Sequence, residues 1–251
     1  MPLKVHPRGN YLFLPGIAPY SCGVVSSPGF EIVHLTLQKP VAWRAGFQQI
    51  ARILATDQRP PQALCSISLR IPAPLTFPGF AEFNAAYTAV LRDWDLFVDE
   101  INPVARTNVA PVVAPPTEPV LYAFAYTRPC PTDQPATFVV AGAGELPEGQ
   151  LSRDAIVSLT DVSPAGIARK ARFVMDLMEH RLNGLGASWS AVTTANLYTV
   201  HSVAPLLPEV ILGRMGAAAI HGAVWHYSRP PIEEIEFEMD FCGTRTSRRL
   251  V

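Results

Sequence analysis

The chain says nearly the same thing twice. Residues 102–127 read NPVARTNVAPVVAPPTEPVLYAFAYT, and residues 217–241 read AAAIHGAVWHYSRPPIEEIEFEMDF. Each passage is a strand, a proline-punctuated turn and a second strand. Setting Arg106 against His221, 115 positions further on, brings Pro115 onto Pro230. An internal repeat of this period sets the architecture before any other signal does. It predicts two diverged copies of one unit, over residues 1–128 and 129–251, each of an ordinary domain size. The copies differ in their charges. The first carries Arg106 and no acid on the strand that follows. The second carries His221, with Glu236 and Glu238 on the strand that follows.

Composition restricts the partners. With 49% apolar and 16% charged residues the chain can fill two cores. A net charge of −1 argues against nucleic acid, which favours a basic balance. No apolar run reaches the ~18 residues of a membrane span, and the opening MPLKVHPRGNYLFLPG lacks the long apolar core of a signal peptide. Cys22, Cys65, Cys130 and Cys242 are scattered, with no paired spacing that reads as a zinc site or a disulfide framework. A cytoplasmic location is the default expectation.

Periodicity then orders the elements. Tyr20–Gln38 reads as strand, Pro28-Gly29 turn and strand. Phe47, Ile50, Ala51 and Leu54 mark one helical face, and Phe80, Phe83, Tyr87, Val90 and Leu91 a second, with an alternating strand at Ala63–Ile71 between them. Thr127–Pro135 is proline-rich and reads as a linker. In the second half a strand precedes a helical stripe at Ile167, Ala171, Val174, Met175, Met178 and Leu182, stopped by Gly184 and Gly186. A further strand and a helix broken by Pro205 and Pro208 follow, then the closing strand pair. The last residues, TSRRLV, read as a solvated tail. The expected fold is α+β: two tandem β-β-α-β-α-β-β units, each one sheet on two helices.

Several of these segments carry a resemblance. IAPYSCGVV (Ile17–Val25) is similar to the GPYSQAV opening of the Rid/YjgF (reactive intermediate deaminase) family. FAEFNAAYTAVL resembles that family's second helix, and GASWSAVTTANLYTV its strand lead-in. The likeness spans nearly the whole chain, as two copies. It implies a chorismate-mutase-like fold and a homotrimer in which six domains alternate as a pseudo-hexamer. It implies an aminohydrolase without metal or organic cofactor, acting on a small conjugated enamine or imine carboxylic acid such as 2-aminomuconate from aromatic-compound breakdown. Arg106 stands where the family holds the substrate carboxylate, and Glu236 where it activates water. Tyr20, Ser21, Asn84 and Glu238 are the further expected substrate contacts, and His221 the second proton-transfer candidate.

The departures are as informative. The family's arginine-x-cysteine pair reads Arg106-Thr107-Asn108 in the first half, and His221 and Ala223 fill those places in the second. Neither half holds the whole constellation, so the site is either composite or chemically different. Glu236 alternates with Ile235 and Phe237, which also suits a solvated strand face. His221 lies near Trp225 and Tyr227, which also suits simple packing. A chorismatase-like hydrolase or lyase and a non-catalytic metabolite-binding trimer are the alternative readings.

Overall fold

A computed structural model describes residues 2–251. Twelve strands form one sheet in the order β1-β2-β3-β8-β11-β9-β10-β6-β5-β7-β4-β12. In chain order these are β1 (Lys4–His6), β2 (Tyr11–Leu14), β3 (Gly23–Ser26), β4 (Phe30–Ala42), β5 (Leu64–Arg70), β6 (Ala105–Pro111), β7 (Val120–Pro129), β8 (Phe138–Gly144), β9 (Thr194–Thr199), β10 (Val224–Arg229), β11 (Glu238–Gly243) and β12 (Thr246–Leu250). The helices are α1 (Trp43–Thr56), α2 (Phe77–Asp93), α3 (Pro164–Gly184) and a short α4 (Gly213–Met215).

The two halves have matching sheets. Strands β6-β5-β7-β4 in one correspond to β10-β9-β11-β8 in the other, with a parallel pair first in each case. The parallel pairs are those whose connection passes through a helix, as parallel pairing requires. The half-sheets join where Ser228 and Arg229 of β10 pair with Pro111 and Ala110 of β6.

The halves also exchange their ends. β3 does not pair with β4; it lies against β8, with Val24 opposite Val139. β1 and β2, in a segment without strand signals in the sequence reading, extend that edge. The second half therefore runs β-α-β-α-β-β, and β3 occupies the place of its expected first strand. TSRRL is no free tail: it forms β12, parallel to β4 from Thr246↔Val33 to Leu250↔Leu37. An open strand edge leaves N–H and C=O groups unpaired, and each half covers the other's edge. β7 likewise continues to Pro129, into the segment read as linker, with Ile32 opposite Thr127.

Helix boundaries follow local chemistry. The Thr76 hydroxyl caps α2 by accepting from the Gly79 N–H at 3.1 Å, and Ser163 caps α3 from the Gly166 N–H at 3.1 Å. Gly186, at φ +70°, turns the chain out of α3. The stripes bury as their spacing predicts, except that Ala51 is exposed and Gly46 instead packs close against Leu121. Pro205 and Pro208 remove helix donors, and residues 207–221 split into a π turn, α4 and a 3-10 turn.

Three large apolar clusters result, with a small fourth one of Phe80, Ile156, Ile232 and Ile235. α1 and α2 cover β4, β5 and β7 with Trp43, Phe47, Tyr87 and Phe124. α3 and the broken helix cover β8, β9 and β11 with Met175, Met178, Phe237 and Phe241. Between the half-sheets, Tyr11, Phe13, Val24, Ile32, Ala105 and Val139 form a third core.

One fully buried ion pair crosses the second half. Lys170 of α3 donates to Glu145 at 3.1 Å and to the Val157 carbonyl at 3.0 Å. Glu145 also accepts from the backbone N–H groups of Glu236 (2.6 Å) and Phe237 (3.0 Å). Burial pushes the Glu145 carboxyl up, while the ammonium and the peptide donors favour its ionised form. Lys170→Met would strand that carboxylate in the core. It should cost about 3–5 kcal/mol, read as a lower urea midpoint, and Lys170→Met/Glu145→Gln should recover part of the loss.

Candidate active site

A cavity of about 640 Å³, its open mouth included, lies where the halves meet. Its floor takes Arg106 and Asn108 from β6, Gly142 from β8 and Glu238 from β11. Tyr20, Phe80, Arg181 and the 146–151 loop form its walls. Gly149, at φ +76°, gives that loop its turn, closed by the Gln150 N–H on the Pro147 carbonyl. The 231–235 segment is held against the first half by Leu75, whose N–H donates to Pro231 O (2.8 Å) and whose carbonyl accepts from Glu233 (3.0 Å).

Arg106 is 3% exposed. Its Nη2 donates to Asn84 Oδ1 at 2.7 Å, while its Nη1 has no partner among the described residues. Rings surround the guanidinium, with Tyr87 at 4.7 Å, Tyr20 at 5.1 Å and Phe80 at 5.6 Å from its carbon. Phe80, Asn84 and Tyr87 share one face of α2, at helical spacing. The helix thus delivers the aromatic wall and the one polar group that orients the arginine.

Glu238 is buried, and its carboxyl accepts no hydrogen bond among the described residues. Burial pushes it well above the ordinary carboxylate range; Asp240 adds to the shift, and Arg181 and Arg106 oppose it without cancelling it. The β8–β11 register shifts between Met239 and Phe241, a bulge at Ala141 and Gly142. Their carbonyls both accept from Arg181 Nη1, at 3.0 and 3.2 Å. A Cβ at Gly142 would displace the end of the Glu238 side chain. The Gly142 N–H donates to Thr107 Oγ1 at 3.2 Å and ties the half-sheets together beside the site.

Glu148 shows the opposite electrostatics. Burial works against its charge, yet Arg181, 2.7 Å away, holds it below the usual range. Burial raises the Cys22 thiol to about 11 and the Tyr20 phenol to about 12, so neither ionises near neutral pH. Among the described residues, no three His, Cys, Asp or Glu side chains gather as a metal site would.

The sequence candidates therefore separate. Arg106, Tyr20 and Glu238 share the cavity, and Asn84 stands behind Arg106. Ser21 does not line it; its hydroxyl donates to the Pro103 carbonyl at 2.9 Å. Glu236 lies outside the cavity, 2.9 Å from His201 Nε2 and 3.2 Å from Arg229 Nη1. Strand alternation sends Glu236 and Phe237 to opposite faces, but Glu236 precedes β11, and its side chain turns toward β9 and β10. His221 is exposed at the end of the 3-10 turn and also lies outside. Asn108, Arg181 and Glu148 complete the cavity without having been candidates. Only the i, i+2 spacing of Asn108 from Arg106 signalled a shared strand face.

Known proteins resemble this chain over most of its length. A family model described as 2-aminomuconate deaminase CnbZ matches residues 3–248. The 2-amino-5-chloromuconate deaminase of Comamonas testosteroni is 38% identical over 242 residues, 95% of each chain. Among solved structures, a chorismatase aligns at a TM-score of 0.48 and 10% identity, over 89% of this chain and 77% of its own. A cyanuric acid hydrolase aligns at 0.42 and 9%, over 88% and 69%. Since both the family model and the Comamonas relative run almost from end to end, the chain belongs to the 2-aminomuconate deaminase CnbZ family.

Proposed function

We propose that this deaminase hydrolyses the C–N bond of an aminomuconate, with Arg106 holding a substrate carboxylate and Glu238 carrying the protons. The observation behind the reading is the pairing, in one cavity, of a buried guanidinium with an unpartnered Nη1 and a buried carboxyl displaced upward in pKa. A guanidinium holds a carboxylate by charge-assisted bonds in a fixed plane. A carboxylic acid that keeps its proton toward neutral pH suits general acid chemistry.

The steps balance around Glu238. Its carboxylic acid protonates the enamine carbon, leaving an iminium and a carboxylate. The carboxylate takes a proton from water as the water oxygen bonds to the iminium carbon. The regenerated acid protonates the amino nitrogen, the C–N bond breaks, and ammonia leaves. The hydroxyl proton returns to Glu238 as the 2-oxo acid forms. Arg106, beside the carboxylate, draws electron density away from the reacting carbon throughout.

Under the same proposal the halves are diverged copies of a Rid-type unit, and only the composite cavity is active. Val224, Trp225 and Tyr227 of β10, with Val113 beside them, are 45–75% exposed. Covering that apolar strip is the role we assign to threefold assembly. Light scattering should then give three times the 27.3 kDa chain mass, and a stable monomer at micromolar concentration would remove this part.

Ammonia release from 2-aminomuconate tests the activity itself. Arg106→Ala should lower kcat/KM about tenfold to a hundredfold or more, from the ~1.5–3 kcal/mol of a charged hydrogen bond. Arg106→Lys should rescue only partly, lacking the planar fork. Unchanged kinetics in Arg106→Ala would dismiss the carboxylate role.

Glu238→Gln should lower kcat about 10²–10⁴-fold and, at the same time, stabilise the fold. The folded carboxyl holds its proton above the pH where the unfolded one releases it. Wild-type stability therefore drains away as pH rises above the ordinary carboxyl value of 4.5. Glutamine does not titrate, so its Tm advantage should grow with pH through that interval. A Tm difference independent of pH would show that Glu238 titrates normally.

A further inference from the structure

Asn108 is 3% exposed, lines the cavity, and leaves both Oδ1 and Nδ2 without a partner among the described residues. Buried amides are nearly always hydrogen-bonded. Two residues along the same strand, and so on the same face, Arg106 Nη1 is also unpartnered. Two adjacent side chains on β6 thus present three unmet polar atoms to one space: two donors and one acceptor. Phe80, Ile232 and Ile235 add apolar wall to the same cavity, whose other charged groups are Glu148, Arg181 and Glu238. Among the described residues, none of the three has a hydrogen-bond partner.

We infer that Asn108 is the specificity-determining residue that reads the amino group of the substrate together with the carboxylate next to it. This deepens the deaminase reading and rests on it. In a 2-amino-2-enoic acid the nitrogen and the carboxylate sit on adjacent carbons in one conjugated plane. That edge offers an N–H donor beside an oxygen acceptor. A primary amide offers the converse, an acceptor beside a donor, and the match is bidentate, as when an asparagine reads the donor–acceptor edge of adenine. Asn108 Oδ1 accepts from the amino N–H, its Nδ2 donates to the near carboxylate oxygen, and Arg106 Nη1 takes the other oxygen.

Two consequences follow from the pairing. It selects the carboxylate adjacent to the amino group and not the one at the far end of the chain, and so fixes which carbon meets Glu238. It also weakens as the reaction proceeds, because the 2-oxo product sets a carbonyl oxygen against Oδ1, acceptor against acceptor. Sites built around a substrate N–H or O–H discriminate strongly for this reason.

The test compares 2-aminomuconate as substrate with muconate, the same dicarboxylate without the amino group, as inhibitor. In Asn108→Leu the KM for 2-aminomuconate should rise about threefold to tenfold more than the muconate Ki, because both ligands lose the Nδ2 bond to the carboxylate while only the substrate also loses the contact to its amino group. Circular dichroism and Tm confirm that the variant is folded; if it is not, Asn108→Ser, which keeps a small polar group, carries the same comparison. An equal rise in KM and Ki would show that Asn108 reads carboxylate alone, and an unchanged KM that it reads nothing; either overturns the inference and spares the deaminase reading. A wild-type enzyme inert toward 2-aminomuconate would instead overturn that reading, and this inference with it.

Discussion

The buried Glu145 carboxylate is the joint on which the site depends. It stands just past the end of β8, takes the ammonium of α3, and receives the two N–H groups that lead into β11. These are the elements that carry Gly142, Arg181 and Glu238. A buried ion pair adds little net stability over an apolar replacement. Its value here is geometric, because it sets the strand carrying Glu238 relative to the helix carrying Arg181. Glu145 also contributes to the field that lifts the Glu238 pKa, so the joint and the acid are coupled.

Around that joint the cavity treats its charges unequally. Arg181 and Glu148 satisfy each other, and Arg181 also caps two carbonyls of the bulge. Their bonds run to each other, to the bulge carbonyls and to the Cys22 thiol. Arg106 and Glu238 are buried with valences left open, and the Asn108 amide has no partner. Unmet polar groups in a low-dielectric space are costly, and a fold keeps them where a ligand completes them. The aromatic wall from α2 packs against the guanidinium and leaves it little solvent exposure.

The exchange of terminal strands serves the same end. β3 on the second half and β12 on the first leave neither half with its own full set of strands, and the Thr107–Gly142 bond closes the seam near the cavity. A site drawn from both halves needs them held at fixed separation, because under the proposed roles a carboxylate grip on one side and a proton carrier on the other tolerate little relative movement.

Much was legible in the sequence because it depends on local spacing. The helical stripes of α1, α2 and α3, the glycine stop after α3 and the alternation of β5 are all properties of neighbouring residues, and they appear in the structure with small shifts. Arg106, Tyr20, Asn84 and Glu238 were legible as candidates from their places in quoted segments. The strand exchange was not, since pairing between residues over a hundred positions apart leaves no periodic trace, and TSRRL has exposed side chains whose pattern says tail. Nor was the separation of Glu236 from Glu238. Both are acids two positions apart in sequence, and only the start of β11, set by Glu145, decides that one turns toward His201 and the other into the cavity. The sequence by itself determined most of the helices and the central strands, and several of the residues that could do the chemistry. The tertiary structure decided which of those residues meet, because burial and the loss of hydrogen-bond partners, unlike periodicity, are properties of the packed whole.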